Sequence, residues 1–268
     1  MFLKITIKIR ALDSGKIRYT GGYLRAFFLN KIRSIDTTLA NRLHMADRVW
    51  GASPYAITPL YKENAKEMSY IPMNIVIKKG EIYCFEIKIV EEIFIGIIEK
   101  LMESLYTESF LGNIAFKTIE IKLERPSKRD NTDIGFFDVL FRTPTYFRIK
   151  GINKHYLFPT VEKIVFSVAK FLNIFAEERI EKQYLNERII PKIIEKNYKI
   201  RTTKPVVLGK YRKTIGFIGT ITYETRSIEA SQTFLELLQV AKYMNIGGNR
   251  TGGFGVLFFR AKKFKSKL

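Results

Sequence analysis

The feature that most constrains this chain is the order of its hydrophobic periodicities: strand, helix, strand, strand, helix, strand, and then the same order again. Residues 2–10 alternate apolar with polar or basic side chains, the two-residue period of a half-buried strand. A loop over 13–22, punctuated by Gly15, Gly21 and Gly22, leads to a helix over 23–44. Its residues Leu24, Phe27, Phe28, Ile32 and Ile35 fall on one face, and Asp36-Thr37-Thr38 breaks it and caps a short second helix ending near His44. Strands follow over 70–77 and 81–89, joined at Lys79-Gly80, then a helix over 91–104 and a strand over 114–124. After a basic polar stretch at 125–131, the order repeats. A strand over 135–143 leads to a helix over 160–186, strands over 192–201 and 214–223, a helix over 227–244 and a last strand over 255–259. This pattern predicts an α+β chain of two tandem ferredoxin-like, RRM-like (βαββαβ) domains, 1–125 and 132–268, the second carrying a glycine-rich loop.

Charge narrows the partners. The sequence has 46 Lys and Arg against 26 Asp and Glu, a net charge of +20 and a pI of about 9.9. A basic surface of this size suits a polyanion, either nucleic acid or an acidic membrane; the alternative is a merely solubilising surface. The 46% hydrophobic content suffices for a core. The single cysteine, Cys84, lies in the alternating segment 81–89 and can form neither an internal disulfide nor a cysteine zinc cluster; it reads as a buried residue in a reducing compartment. The alternating N-terminus does not read as a secretory signal, and no stretch approaches the roughly 18 apolar residues of a membrane span. A cytoplasmic protein is expected. Ferredoxin-like sheets carry many RNA-binding modules, yet the fold alone decides no function.

The strongest local signal is Asn245-Ile246-Gly247-Gly248-Asn249-Arg250-Thr251-Gly252-Gly253-Phe254-Gly255, between a helix and a strand. Glycines allow close backbone approach, exposed amides can cradle phosphate, and Arg250 adds charge. The segment is not a nucleotide P-loop, because no Gly-Lys-Ser/Thr follows and it precedes a strand. The structural alternative is a tight helix-to-strand turn. Gly247, Gly248, Asn249, Arg250 and Gly253 are therefore candidate RNA-binding residues. Basic residues also gather at Lys4, Lys8 and Arg10, at Arg125, Lys128 and Arg129, and around Arg201, Lys204, Lys210, Arg212 and Lys213. Of these, the 204–213 region, with Lys204, Lys210 and Arg212, is the best candidate RNA surface.

Gly253-Phe254-Gly255 with Gly247 and the basic Arg250 resembles the C-terminal glycine-rich signature of the CRISPR-associated endoribonucleases that process precursor CRISPR RNA. These belong to the repeat-associated mysterious protein superfamily. Asn245 stands where the first glycine of that signature is expected. Three further segments resemble the family in the same order: Tyr23-Leu24-Arg25-Ala26-Phe27-Phe28-Leu29 followed by Leu43-His44, Ser53-Pro54-Tyr55-Ala56-Ile57-Thr58-Pro59-Leu60, and Phe141-Arg142-Thr143-Pro144-Thr145-Tyr146-Phe147-Arg148. The resemblance implies two ferredoxin-like domains, CRISPR repeat RNA as substrate, and cleavage without metal or cofactor. It also implies a monomer or homodimer that acts within an interference complex or hands its product to one.

Such cleavage uses the RNA's own 2′-hydroxyl, so the protein need only align it, move protons and stabilise the phosphate charge. Histidine, with a reference pKa of about 6.5, suits the proton transfer. The resemblance assigns that role to His44, as acid or base. Arg48, in a following loop that also holds Asp47, Trp50, Ser53 and Tyr55, is an independent candidate for stabilising the phosphate. Two positions depart from the pattern: Leu29 stands where some relatives have a tyrosine, and Arg48 is the nearest basic residue after His44 where they have a lysine. His155 lies in a segment that reads as a surface loop, and no His, Asp and Glu share metal-site spacing. Two other readings stand beside the enzyme. One is a catalytically inactive repeat-RNA-binding or scaffold subunit of a CRISPR interference complex. The other is a general basic RNA-binding protein such as a translation-associated factor, against which the glycine-rich end argues.

Overall fold

The computed structural model describes residues 2–62, 69–70, 75–126, 134–149, 151–152, 154–177, 179–208 and 212–263. The chain forms two compact units. The first comprises Met1–Arg125 together with Pro205–Thr214 and Asn249–Phe254; the second comprises Pro126–Lys204, Ile215–Gly248 and Gly255–Leu268.

In the first unit, β1 (Phe2–Ala11) is followed by β2 (Gly15–Ile17), α1 (Thr20–Ile35), α2 (Thr37–His44) and α3 (Ala46–Val49). Then come β3 (Tyr55–Ile57), β4 (Tyr61–Lys62), β5 (Ser69–Tyr70), β6 (Ile75–Ile77) and β7 (Ile82–Val90). Helices α4 (Glu91–Phe94) and α5 (Ile98–Leu105) lead to β8 (Ser109–Leu111) and β9 (Ile114–Glu124). The sheet order is β5-β4-β7-β1-β9-β8, with β3 also paired to β7. The antiparallel register runs Ile5↔Ile87 on one side of β1 and Ile5↔Leu123 on the other. Alternation does the work that the sequence predicts. Leu3, Ile5, Ile7 and Ile9 are at most 4% exposed and pack with Leu24, Phe28 and Ile32 of α1 and Leu101 and Leu105 of α5.

The opposite face of β1 is polar, and its two lysines are paired. Lys4 Nζ lies 2.8 Å from Glu124, and Lys8 Nζ lies 3.0 Å from Glu120. Two of the basic residues that read as one charged face thus sit in cross-strand ion pairs. Deeper in the same unit, Glu86 and Lys88 are buried and paired at 3.4 Å, since a lone buried charge is expensive.

The second unit is built on β10 (Ile134–Thr145). It continues through β11 (Phe147–Arg148), β12 (His155–Tyr156), α6 (Val161–Phe175), α7 (Lys182–Tyr184) and β13 (Ile193–Thr202). A two-stranded ribbon, β14 (Val206–Leu208) with β15 (Arg212–Thr214), belongs to the first unit. The second unit resumes with β16 (Phe217–Thr225), α8 (Ile228–Met244) and β17 (Leu257–Lys263). Its sheet order, β13-β16-β10-β17, places the strands as second, third, first and fourth, the ferredoxin-like order. In the first unit, β4-β7-β1-β9 repeats it. The fold is the expected tandem of two ferredoxin-like domains.

Local boundaries depart from the periodicity in several places. The helix expected over 91–104 divides into α4 and α5. The second strand of the first sheet is β4, while Ile75–Ile77 of the strand expected over 70–77 pairs with β2. The helix expected over 160–186 stops at Phe175, because the Asn173 side chain pairs with both backbone groups of Ile180, at 2.9 and 2.8 Å, and turns the chain. The strand expected over 214–223 is split. β15 ends at Thr214, and Gly216 passes so near β10 that a Cβ there would lie 2.6 Å from the Thr145 nitrogen. Of the expected basic stretch at 125–131, only Arg125, which binds Glu91 at 3.1 Å, and Pro126 fall within the described residues. Among the described residues no helix is long and apolar enough to cross a membrane.

Because Ile7 is fully buried at the centre of its sheet, Ile7→Ala should destabilise the protein by about 2–5 kcal/mol. Chemical denaturation with an unchanged slope against denaturant would register it.

Candidate functional site

His44 ends α2. Asp36 caps that helix, its carboxylate accepting from the Leu39 amide at 2.8 Å, while Leu39, Ala40 and Leu43 face the core. The geometry leaves His44 exposed. Ala46 of α3 turns inward again, so Asp47 and Arg48 also face out. The Arg42 guanidinium covers the Trp50 ring at 4.9 Å. Beyond Trp50 the chain is tied to β7: the Pro54 carbonyl accepts from the Val90 amide at 2.9 Å, and Tyr55 pairs with Ile89. Residues 44–55 therefore form a short surface segment fixed at both ends.

The segment Asn249–Phe254 packs within the same unit. Asn249 has a left-handed φ of 55°, and a 3-10 turn over Arg250–Gly252 follows. Arg250 Nη2 donates to the Ser53 carbonyl at 3.1 Å. Burial lowers the pKa of this guanidinium to about 10, against the pull of Asp47, so it remains charged at neutral pH. The Tyr55 hydroxyl, in a fully buried side chain, accepts from Arg25 Nε at 3.3 Å and hydrogen-bonds the Thr251 side chain; burial raises its pKa. Next along the turn, a Cβ on Gly21 would stand 2.0 Å from the Gly252 carbonyl oxygen, so α1 and the turn meet backbone to backbone. Gly253 lies against Pro59, and the rings of Tyr19 and Phe254 meet edge to face at 5.6 Å.

The flanking glycines belong to the second unit. A Cβ on Gly248 would overlap the Tyr146 ring at 2.3 Å. Tyr146 in turn stacks on His155, ring centroids 3.9 Å apart, which places that histidine in β12. Asn245 has a φ of 54°, the conformation the glycine of the signature would supply. All five glycine amides of the segment are donated inside the protein: Gly247 to Ser167 Oγ, Gly248 to the Tyr146 carbonyl, Gly252 and Gly253 to Asn249 and Arg250, and Gly255 to Pro144. What these glycines supply is room for neighbouring backbone at Gly247 and Gly255 and for side chains at Gly248, Gly252 and Gly253.

Of the remaining candidates, Lys204 and Lys213 are exposed, Arg212 opens β15, and Lys210 lies outside the described residues. Leu29 is part of the core. Tyr23 lies on the first turn of α1, its ring against the β8–β9 turn at Gly112. Sequence reasoning missed Arg25 and Thr251, which meet at Tyr55 from 30 and 196 positions away; no local spacing signals such a meeting. Among the described residues no group of three His, Cys, Asp or Glu is placed to hold a metal.

Residues 139–257 match the family model described as CRISPR-associated endoribonuclease Cas6. No curated protein sequence matches. Among solved structures, a Cas6 product complex superposes with a TM-score of 0.75 at 16% identity, over 97% of this chain and 100% of that one. Thermus thermophilus Cas6 gives 0.66 at 14% identity over 97% and 98%. A RAMP protein binding different RNA substrates gives 0.59 at 16% identity over 96% and 99%. Identities this low establish the fold. The family match spans two of the segments whose resemblance is read from the sequence, 141–148 and 245–255.

Gly21 and Gly22 separate packing from propensity. Gly21→Ala should destabilise by about 1–3 kcal/mol through overlap with the Gly252 carbonyl. Gly22→Ala, with nothing within 4 Å of its Cβ, should be neutral or stabilise by up to about 1 kcal/mol as an added helix former. Thermal melting of the two variants measures the contrast.

Proposed function

We propose that this protein is an endoribonuclease that cleaves CRISPR repeat RNA and so matures guide RNA. The observation that carries this reading is the match to the Cas6 family model over 139–257, within a fold that follows Cas6 structures over nearly the whole chain. In the proposed reaction the 2′-oxygen of the RNA attacks the adjacent phosphorus, the bond to the 5′-oxygen breaks, and no metal or cofactor takes part. One proton leaves the 2′-hydroxyl and one reaches the departing 5′-oxygen, giving 2′,3′-cyclic phosphate and 5′-hydroxyl ends. His44, exposed at the end of α2, would move one of these protons. Arg48, exposed on α3, would stabilise the phosphate charge.

For RNA binding we favour the basic run Lys204, Lys210 and Arg212 as phosphate contacts that need no base readout. Gly247, Gly248, Asn249 and Gly253 would serve through the surface shape they permit, since the three glycine amides have acceptors inside the protein. The inactive RNA-binding reading draws on Leu29, which is in the core where some relatives are expected to offer a tyrosine hydroxyl.

Two measurements decide between them. Labelled repeat RNA incubated with the protein in EDTA should be cut, with 2′,3′-cyclic phosphate on the upstream fragment. Activity that vanishes in EDTA and returns with magnesium would end the proposed mechanism, and tight binding without cutting would favour the inactive subunit. His44→Ala should slow single-turnover cleavage by about 10²–10⁴ while leaving RNA affinity nearly unchanged. A variant that cuts at the full rate would move the chemistry to other residues.

A further inference from the structure

The turn Arg250–Gly252 lies under the segment that carries His44 and Arg48, and each of its residues holds something there. Arg250 donates to the Ser53 carbonyl at 3.1 Å. Thr251 hydrogen-bonds the buried Tyr55 hydroxyl, which Arg25 of α1 also reaches at 3.3 Å. The Gly252 carbonyl abuts Gly21 at the start of α1. Just beyond, Gly253 meets Pro59, and Phe254 meets Tyr19. Five consecutive residues thus contact both chain segments that frame His44: α1, which precedes α2, and 53–59, which follows α3.

We propose that Arg250 and Thr251 are positioning residues for cleavage: they set the conformation of segment 44–55, and so the placement of His44 and Arg48, without themselves touching RNA. This rests on the reading of His44 and Arg48 as the reacting side chains. It gives Arg250 a different role from the phosphate contact that its charge suggests in the sequence.

Two physical arguments favour it. A guanidinium that donates to the Ser53 main-chain carbonyl, with the charge of Asp47 acting on it, ties a peptide of the segment to the turn. An aligned proton-transfer group is sensitive to displacements of about 1 Å, whereas phosphate contacts on an exposed surface are tolerant of them. Loss of the tie should therefore appear in the chemical step and not in affinity.

The test uses the full chain and labelled repeat RNA, with thermal melting of every variant first. Arg250→Ala should lower the single-turnover rate at saturating RNA by about 10–100-fold, the scale of a misplaced catalytic group. Its dissociation constant should stay within about twofold of the parent's, and the slope of log affinity against log salt should not change. Arg250→Lys, which keeps a donor for Ser53, should recover part of the rate. Adding Arg250→Ala to His44→Ala should cost little more than His44→Ala alone, because both act on one step. Should Arg250→Ala fail to fold, Thr251→Val and Tyr55→Phe remove the neighbouring tie at nearly constant volume and should show the same rate loss at constant affinity.

Weaker binding with a reduced salt slope and a full rate at saturation would overturn the proposal and make Arg250 a phosphate ligand. A folded Arg250→Ala cutting at the parent rate would overturn it as well. Failure of the underlying reading looks different: His44→Ala would keep the full rate. If Arg250→Ala were then still slow at unchanged affinity, the positioning role would stand, with another residue of the segment as its object.

Discussion

Leu3, Ile5, Ile7 and Ile9 on β1, and Phe137, Val139 and Phe141 on β10, lie almost entirely out of water. Each set lines one face of a central strand that is hydrogen-bonded on both sides, and each meets two helices. A one-residue slip of either strand would turn that whole set to the opposite face and bring charges such as Lys4 and Lys8, or Asp138, into the core. The register of these two strands is the constraint on which the rest depends. The neighbours' positions, the helix faces and the starting points of the connecting loops follow from it.

The same register explains how some of the 46 basic side chains are already engaged with acidic partners. Lys4 and Lys8 face Glu124 and Glu120 across the ladder, and Lys88 and Glu86 neutralise each other in a buried setting. A cluster of basic residues in a strand sequence is therefore a poor guide to a polyanion surface when its cross-strand partners are acidic. The basic run around the β14–β15 ribbon is of another kind, because Lys204 and Lys213 are exposed beside short strands.

The glycine-rich segment shows how composition and role separate. Its glycines were legible as a place where backbone passes close to backbone, and the gaps at Gly247 and Gly255, like that at Gly21 facing Gly252, have that character, with hypothetical Cβ atoms at 1.8–2.3 Å from backbone oxygens. Its amides, however, have acceptors inside the protein. Residues 247–251 are half-buried, and the arginine is tied to a main-chain carbonyl. For a surface residue such as His44 the position near a helix end followed from the break and cap at Asp36-Thr37-Thr38, and the structure turns Leu39, Ala40 and Leu43 of the same helix inward.

The sequence by itself determined the tandem ferredoxin-like order, the amphipathic face of α1, and the break between α1 and α2 at Asp36. These depend on local periodicity and on a cap three residues long. It could not place the end of α6, which is set by Asn173 gripping Ile180, nor the split before β16, which is set by the passage of Gly216 beside β10. It also could not assign Asn249–Phe254 to the first unit or join Arg25, Tyr55 and Thr251 at one hydroxyl. Those depend on contacts between residues tens to hundreds of positions apart, and no period along the chain encodes a distance in space. Only the folding of each unit brings such groups within hydrogen-bonding reach.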